Sequence, residues 1–145
     1  MHQKFKVELT ATAEAAYRRI YAEASPHLEN DTSHPKVKLL RIIDECIDTL
    51  IPHDPFALDR ALAGSLSNIY RVSKGRMRIC YVASSKHGRV IILYISETPR
   101  KDGDRHDPYV LFTSMVMSGQ FDHVFDLLGV RRPARKVAMQ APQVD

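Results

Sequence analysis

The sequence has few cysteines and no long apolar run, and these absences exclude several classes of protein. No run approaches the roughly 18 apolar residues that cross a membrane, and the N-terminal stretch MHQKFKVELT contains no hydrophobic signal segment. The two cysteines, Cys46 and Cys80, lie in apolar segments without a CxxC motif or a histidine-paired spacing. That setting is typical of buried thiols in a reducing compartment, so we expect a cytoplasmic protein that binds no membrane.

Histidine is present but is not arranged for metal binding. The seven histidines include no HxxxH or HxH pair, whereas a metal site needs ligands that converge on one point. We therefore predict no metal and no other cofactor. The 145 residues suffice for one domain with a substantial core. We predict a single domain over residues 1–129 and a basic, flexible C-terminal tail over 130–145, because the tail has little apolar content.

Positive charge is concentrated in the middle of the chain. Residues 63–109 contain nine basic and four acidic residues, a net charge of +5, whereas residues 1–62 carry a net charge of −2. A localised positive field on a small protein indicates a polyanionic partner.

Hydrophobic periodicity predicts the element order β-α-α-β-β-β-α. The first residues alternate like a strand, and a helix with a narrow apolar stripe follows a threonine cap at Thr10 or Thr12. Pro35 begins a second, strongly amphipathic helix, and Asp107 with Pro108 begins a third, followed by one further short helix. We predict an α+β fold in which helices pack on one face of a small, mostly antiparallel sheet.

The clearest strand alternates strictly over residues 76–82. Its apolar face, which should pack on the helices, carries Met77, Ile79 and Tyr81. Its other face carries Arg76, Arg78 and Cys80. This pattern predicts guanidinium groups on an open face of the sheet. The next strand, 90–95, is apolar without alternation, which is typical of a central strand buried on both faces.

Several short motifs lie in the middle of the chain. They are residues 62–64, 70–72, 75–79, the apolar strand 90–95 and Arg100. With the element order above, they resemble the RelE/ParE superfamily of toxins from type II toxin–antitoxin systems. The YhaV-type branch has the pattern R-x-x-G-x-K/R-x-D-x-Y-x-x-F-x-x-M-x-x-x-G. This chain matches it with Arg100, Gly103, Arg105, Asp107, Tyr109, Phe112, Met115 and Gly119.

The resemblance implies a fold of the microbial ribonuclease type and cleavage of messenger RNA, free or on the ribosome. It also implies neutralisation by a cognate antitoxin protein. Some members of the superfamily inhibit DNA gyrase and cleave nothing, so a non-catalytic toxin is one alternative, and an inactive RNA-binding module is another. Arginines gathered on one phosphate favour cleavage, because poisoning an enzyme does not require such a gathering.

Metal-free RNA cleavage needs a base for the 2′-hydroxyl, a cation for the phosphoryl oxygens and an acid for the departing 5′-oxygen. Arginine suits the second task because its planar fork contacts two phosphate oxygens. We predict that Arg71, Arg78 and Arg100 converge on one phosphate. Either Tyr109 or His106 would transfer the proton, and the sequence leaves that choice open.

A second group of cations is predicted to contact the RNA backbone without reading its sequence. Its members are Lys74, Arg76, Lys101 and Arg105. Cleavage-site preference and oligomeric state do not follow from these residues.

Overall fold

A four-stranded sheet with helices on both sides organises the chain in a computed structural model, which describes residues 4–97 and 107–133. The strands are β1 (Lys6–Leu9), β2 (Tyr70–Lys74), β3 (Met77–Ser84) and β4 (Arg89–Ser96). The helices are α1 (Ala11–Ala24), α2 (Pro35–Glu45), α3 (Ile51–His53), α4 (Pro108–Met117) and α5 (Asp122–Leu128). One π-helical turn, Cys46–Leu50, joins α2 to α3. The predicted order of elements is confirmed.

The strand order across the sheet is β1-β4-β3-β2, with β1 parallel to β4 and the other pairs antiparallel. The sheet is therefore mostly antiparallel, as predicted. Gly75 and Arg76 form the two-residue turn between β2 and β3. Glycine is favoured there because its φ of +60° lies in the left-handed region.

Side-chain caps set the beginnings of the helices. The Thr10 hydroxyl accepts a hydrogen bond from the backbone N–H of Ala13 at 3.1 Å, which confirms the predicted cap of α1. At α4, the Asp107 carboxylate accepts from the N–H of Tyr109 at 2.9 Å, with Pro108 in the first helical position. Both caps satisfy backbone donors that a helix start otherwise leaves unpaired.

Two hydrophobic cores lie on opposite faces of the sheet. In the first core, α1 and α2 pack on strand residues that include Met77, Ile79, Tyr81, Val90 and Ile92. In the second core, α4 and α5 pack on the other face, formed by Cys80, Val82, Ile91 and Leu93. The central strands β3 and β4 thus contribute side chains to both cores.

The structure corrects one part of the predicted fold. The α+β class is confirmed, but helices cover both faces, whereas the sequence analysis expected a single covered face. The reason is that the face of β3 that carries Arg78 also carries apolar residues. Farther along β3 the same face carries Cys80 and Val82, whose exposed fractions are only 5% and 0%. Apolar side chains there need a cover, and α4 and α5 provide it.

The first residues after α5 are held against the domain. Val130 packs on the second core, and the Arg132 guanidinium pairs with Asp122 and Asp126 of α5. Residues 134–145, most of the predicted tail, lie outside the described residues. Within the described ranges, no helix has both the length and the apolar content needed to cross a membrane.

Candidate active site

Two arginines lie on one face of the β2–β3 hairpin. Arg71 is opposite Cys80, and Ser73 is opposite Arg78. Directly opposed residues of antiparallel strands share a face. Arg71 and Arg78 are therefore diagonal neighbours on the face of the second core, with Cα atoms roughly 7–8 Å apart. Both side chains are partly exposed, so their guanidinium groups are accessible to a ligand.

The N-terminus of α4 brings Tyr109 to the two arginines. The Asp107 cap is 1% exposed and fixes the first turn of the helix, whereas Tyr109 remains 38% exposed. Arg71, Arg78 and Tyr109 then border one small pocket, together with Tyr94 and Ser96 of β4. These five residues are called the arginine–tyrosine cluster below.

The base of the cluster is apolar and closely packed. The rings of Tyr94 and Phe112 stack with centroids 5.3 Å apart, and Cys80 lies beneath the two arginines. Burial raises the pKa of the Cys80 thiol to about 12, although the positive charges of Arg71 and Arg78 act in the opposite direction. The pocket itself encloses only about 10 Å³, about enough for one water molecule.

In the part of the chain that the structure describes, no carboxylate neutralises the guanidinium groups of Arg71 and Arg78. Nη1 of Arg78 donates a hydrogen bond to the backbone oxygen of Arg76 at 3.1 Å. Within residues 4–97 and 107–133, neither Arg71 nor Arg78 forms an ion pair with an acidic side chain. Their fork-shaped donors are thus available to an anion, and phosphate is the anion that this geometry suits.

Two of the cations predicted to bind RNA lie elsewhere. Lys74 is opposite Met77, so it lies toward the face of the first core. Together with Arg76 in the adjacent turn, it lines a groove of about 470 Å³ against α2. Lys36 and Lys38 border the same groove. The hairpin therefore separates these cations from Arg78, although the sequence analysis had placed Arg76 and Arg78 on one face.

The remaining site residues predicted from the sequence lie outside the described residues. They are Arg100, Lys101, Arg105 and His106. Their convergence with the cluster stays a prediction. In the described part of the chain, no three His, Cys, Asp or Glu side chains are close enough to hold a metal ion.

The sequence analysis missed Tyr94 and Ser96. It interpreted β4 as a uniformly apolar strand, but the register between β3 and β4 shifts by one residue near Leu93. Tyr81 is opposite Ile92, whereas the preceding residue, Cys80, is opposite Tyr94. This bulge moves Tyr94 and Ser96 to the face of the arginines. A tyrosine in an otherwise aliphatic strand was the one available signal.

Comparison with known proteins identifies the family. The family model of the YhaV toxins, described as toxins with endonuclease activity of a toxin–antitoxin system, matches residues 2–131. Among solved structures, the chain is similar to the RelBE2 toxin–antitoxin complex of Mycobacterium tuberculosis. That match has 19% identity and a TM-score of 0.49, and it covers 68% of this chain and 95% of the other.

Two E. coli structures are also similar. The isolated RelE toxin matches at 13% identity with a TM-score of 0.43, covering 68% of this chain and 88% of its own. The toxin–antitoxin complex RelBE matches at 13% identity with a TM-score of 0.42, covering 66% and 99%. No curated protein matches the chain significantly. Because the family model covers most of the sequence, the chain belongs to the YhaV family of toxins with endonuclease activity from toxin–antitoxin systems.

Proposed function

We propose that the protein is a metal-independent endoribonuclease that cleaves messenger RNA, free or on the ribosome, at the arginine–tyrosine cluster. One observation carries the proposal. Two strand arginines that have no carboxylate partner among residues 4–97 and 107–133 border the same pocket as the exposed Tyr109. This arrangement supplies cations for a phosphate and a group that exchanges protons, which are two requirements of metal-free cleavage.

The RNA phosphate binds over the cluster rather than within it. The enclosed volume of about 10 Å³ excludes a nucleotide, so the scissile phosphate lies at the rim, within reach of Arg71 and Arg78. Their guanidinium groups contact its non-bridging oxygens and stabilise the charge that develops when the 2′-hydroxyl attacks. Arg100, which follows the apolar strand 90–95 in the sequence, is the third cation proposed to contact this phosphate.

Tyr109 is the candidate base for the 2′-hydroxyl. Its exposed phenol borders the same pocket as Arg71 and Arg78, close to the phosphate that these arginines would hold. His106, three residues earlier in the chain, is the alternative group for this step.

The groove bordered by Lys74, Arg76 and Lys38 extends this cationic surface across the hairpin. Lys36 in the same groove is paired with Glu23 and Glu97. We assign the groove to the RNA backbone on either side of the cleaved bond, together with Lys101 and Arg105. Contacts of this kind position the substrate without reading its sequence.

The proposed protein partner is a cognate antitoxin that acts in the cytoplasm. The chain belongs to a family of toxins from toxin–antitoxin systems. Arg71 and Arg78, which have no carboxylate partner among the described residues, are the surface that an inhibitor has to cover. An acidic or amphipathic antitoxin segment would cover Arg71 and Arg78, or displace α4 and so remove Tyr109 from the cluster. Pull-down of the tagged toxin from its native host should recover this small partner.

The experiment that tests the activity uses the purified protein and end-labelled messenger RNA. Cleavage is followed with and without ribosomes and in the presence of excess EDTA. We expect discrete fragments that end in a 2′,3′-cyclic phosphate, with rates that EDTA does not change. Intact RNA under both conditions, or activity that only added magnesium or manganese restores, would refute the proposed function.

A further inference from the structure

Strand β4 adds a second tyrosine to the cluster, and its placement depends on a local irregularity. Ile92 faces the first core and Ile95 faces it again, so strict alternation from Ile92 would turn Tyr94 toward α1 and α2. The register shift near Leu93 instead places Tyr94 opposite Cys80 and Ser96 opposite Arg78. Bulges of this type redirect side chains and are frequent beside active sites.

Packing and hydrogen bonding hold the Tyr94 side chain in place. Its ring stacks on Phe112 at 5.3 Å with an interplanar angle of 23°. Its hydroxyl is hydrogen-bonded to the side chain of Ser96. The ring is half-buried, yet it borders the pocket on which Arg71, Arg78 and Tyr109 also converge. A side chain fixed in this way serves better for a directed proton transfer than one that samples several rotamers.

We propose that Tyr94 is the general acid that protonates the departing 5′-oxygen, with Ser96 as its positioning residue. The proposal rests on the proposed function and completes it, because the cations and the base leave this third task unassigned. As the 2′-oxygen bonds to phosphorus, the bond from phosphorus to the 5′-oxygen breaks. That oxygen takes the phenolic proton of Tyr94, and the resulting tyrosinate regains a proton from water.

The surroundings of Tyr94 fit an acid better than a base. Burial is the main cause that raises the pKa of Tyr94, so the phenol carries its proton throughout the neutral range. The hydrogen bond from Ser96 acts in the opposite direction and stabilises the tyrosinate that forms on proton transfer. The positive charge of Arg19, on α1, also lowers the pKa of Tyr94 and so favours the tyrosinate.

The test compares two RNA substrates in single-turnover cleavage. One has the ordinary 5′-oxygen at the cleaved bond, and the other has a bridging sulfur there, which leaves as a thiolate without needing a proton. We expect Tyr94→Phe to cleave the oxygen substrate about a hundredfold more slowly than the parent. On the sulfur substrate, the cleavage rate of Tyr94→Phe should lie within about threefold of the parental rate. The kinetic loss should come without weaker RNA binding, because phenylalanine keeps the ring.

Two control variants give the comparison its meaning. Tyr21→Phe removes a phenol from the exposed side of α1 and should cleave both substrates at the parental rate. Arg78→Lys should cleave both substrates slowly, because the sulfur leaving group does not replace a cation at the phosphoryl oxygens.

Ser96→Ala is a second test variant. Its rate on the oxygen substrate should fall by a smaller factor, about tenfold, and should recover on the sulfur substrate. It carries the test alone if Tyr94→Phe does not fold.

Each contrary outcome has a definite meaning. If Tyr94→Phe cuts the oxygen substrate at the parental rate while Arg78→Lys is slow, Tyr94 is not the acid and the proposed function stands. If Tyr94→Phe is equally slow on both substrates, its role is structural and the inference is wrong. If the parent protein cuts neither substrate, the proposed function itself fails.

Discussion

Replacing Arg78 by lysine tests whether its guanidinium group takes part in catalysis or supplies only a positive charge. Lysine keeps the charge but removes the planar fork that contacts two phosphate oxygens at once. If Arg78 stabilises the charge that develops in the transition state, losing that contact slows turnover by about 10²–10³-fold. This corresponds to a rise of about 3–4 kcal/mol in the activation free energy.

The expected cost to folding is much smaller. Within the described residues, Arg78 makes one side-chain hydrogen bond, to the backbone oxygen of Arg76 at 3.1 Å, and that bond is exposed to solvent. Losing an exposed bond of this kind costs below about 1 kcal/mol, which lowers Tm by no more than roughly 5 °C for a domain of this size. RNA affinity should stay within about tenfold of the parent, since Arg71 and the groove cations remain.

The assay measures three quantities on the same preparation: the single-turnover rate, RNA affinity by filter binding, and Tm by circular dichroism. Arg41→Lys is the matched control, because it makes the same exchange on the exposed side of α2 and should leave all three unchanged. An Arg78→Lys protein that cleaves at the parental rate would refute the reasoning. The guanidinium would then supply only positive potential, and the catalytic assignment would move to Arg71 or Arg100.

Three further predictions concern stability. Asp107→Ala removes the buried cap of α4 and should lower the free energy of unfolding in urea by about 1–2 kcal/mol. Cleavage should also be slower, because Tyr109 loses its support. An unchanged midpoint of urea unfolding would contradict the capping role. Phe112→Ala should lower the free energy of unfolding by about 3–5 kcal/mol. Leu111→Ala removes a 39% exposed side chain and should lower it by less than about 1 kcal/mol. Equal losses in the two variants would contradict the role of Phe112 in the second core. Burial raises the pKa of Cys80 from 9.0 to about 12. The protonated thiol contributes fully to the free energy of unfolding below pH 9, and this contribution is lost as the pH rises toward 12. Between pH 8 and pH 10.5 the parent should therefore lose more stability than Cys80→Ala, and parallel losses would argue against a buried neutral thiol.

The elements that the sequence predicted well are those set by local chemistry. The caps at Thr10 and Asp107 depend on side chains within three residues of the helix start, so the sequence specifies them directly. The alternation of Met77, Ile79 and Tyr81 predicted the face of the first core correctly. In each case the signal lies within a few neighbouring residues.

The parts that were missed depend on contacts between distant segments. Whether α4 and α5 cover the second face is decided by the path of the chain after β4, which no periodicity encodes. Cys80 and Val82 offered a partial signal, since apolar residues on a supposedly open face require a cover. The bulge that directs Tyr94 toward the arginines is set by pairing between β3 and β4. In the sequence, a tyrosine in an otherwise aliphatic strand is its one sign.

The division of the sheet between two cores has a consequence for the order in which a nascent chain matures. The first core is composed of residues no later than Ile95, so it is complete before α4 leaves the ribosome. The second core requires α4 and α5, which follow β4 in the chain. Tyr109 lies in the first turn of α4. Domains generally fold from the N-terminus during synthesis. If Tyr109 acts as proposed, a nascent toxin whose first core has folded is still inactive until α4 packs on the sheet.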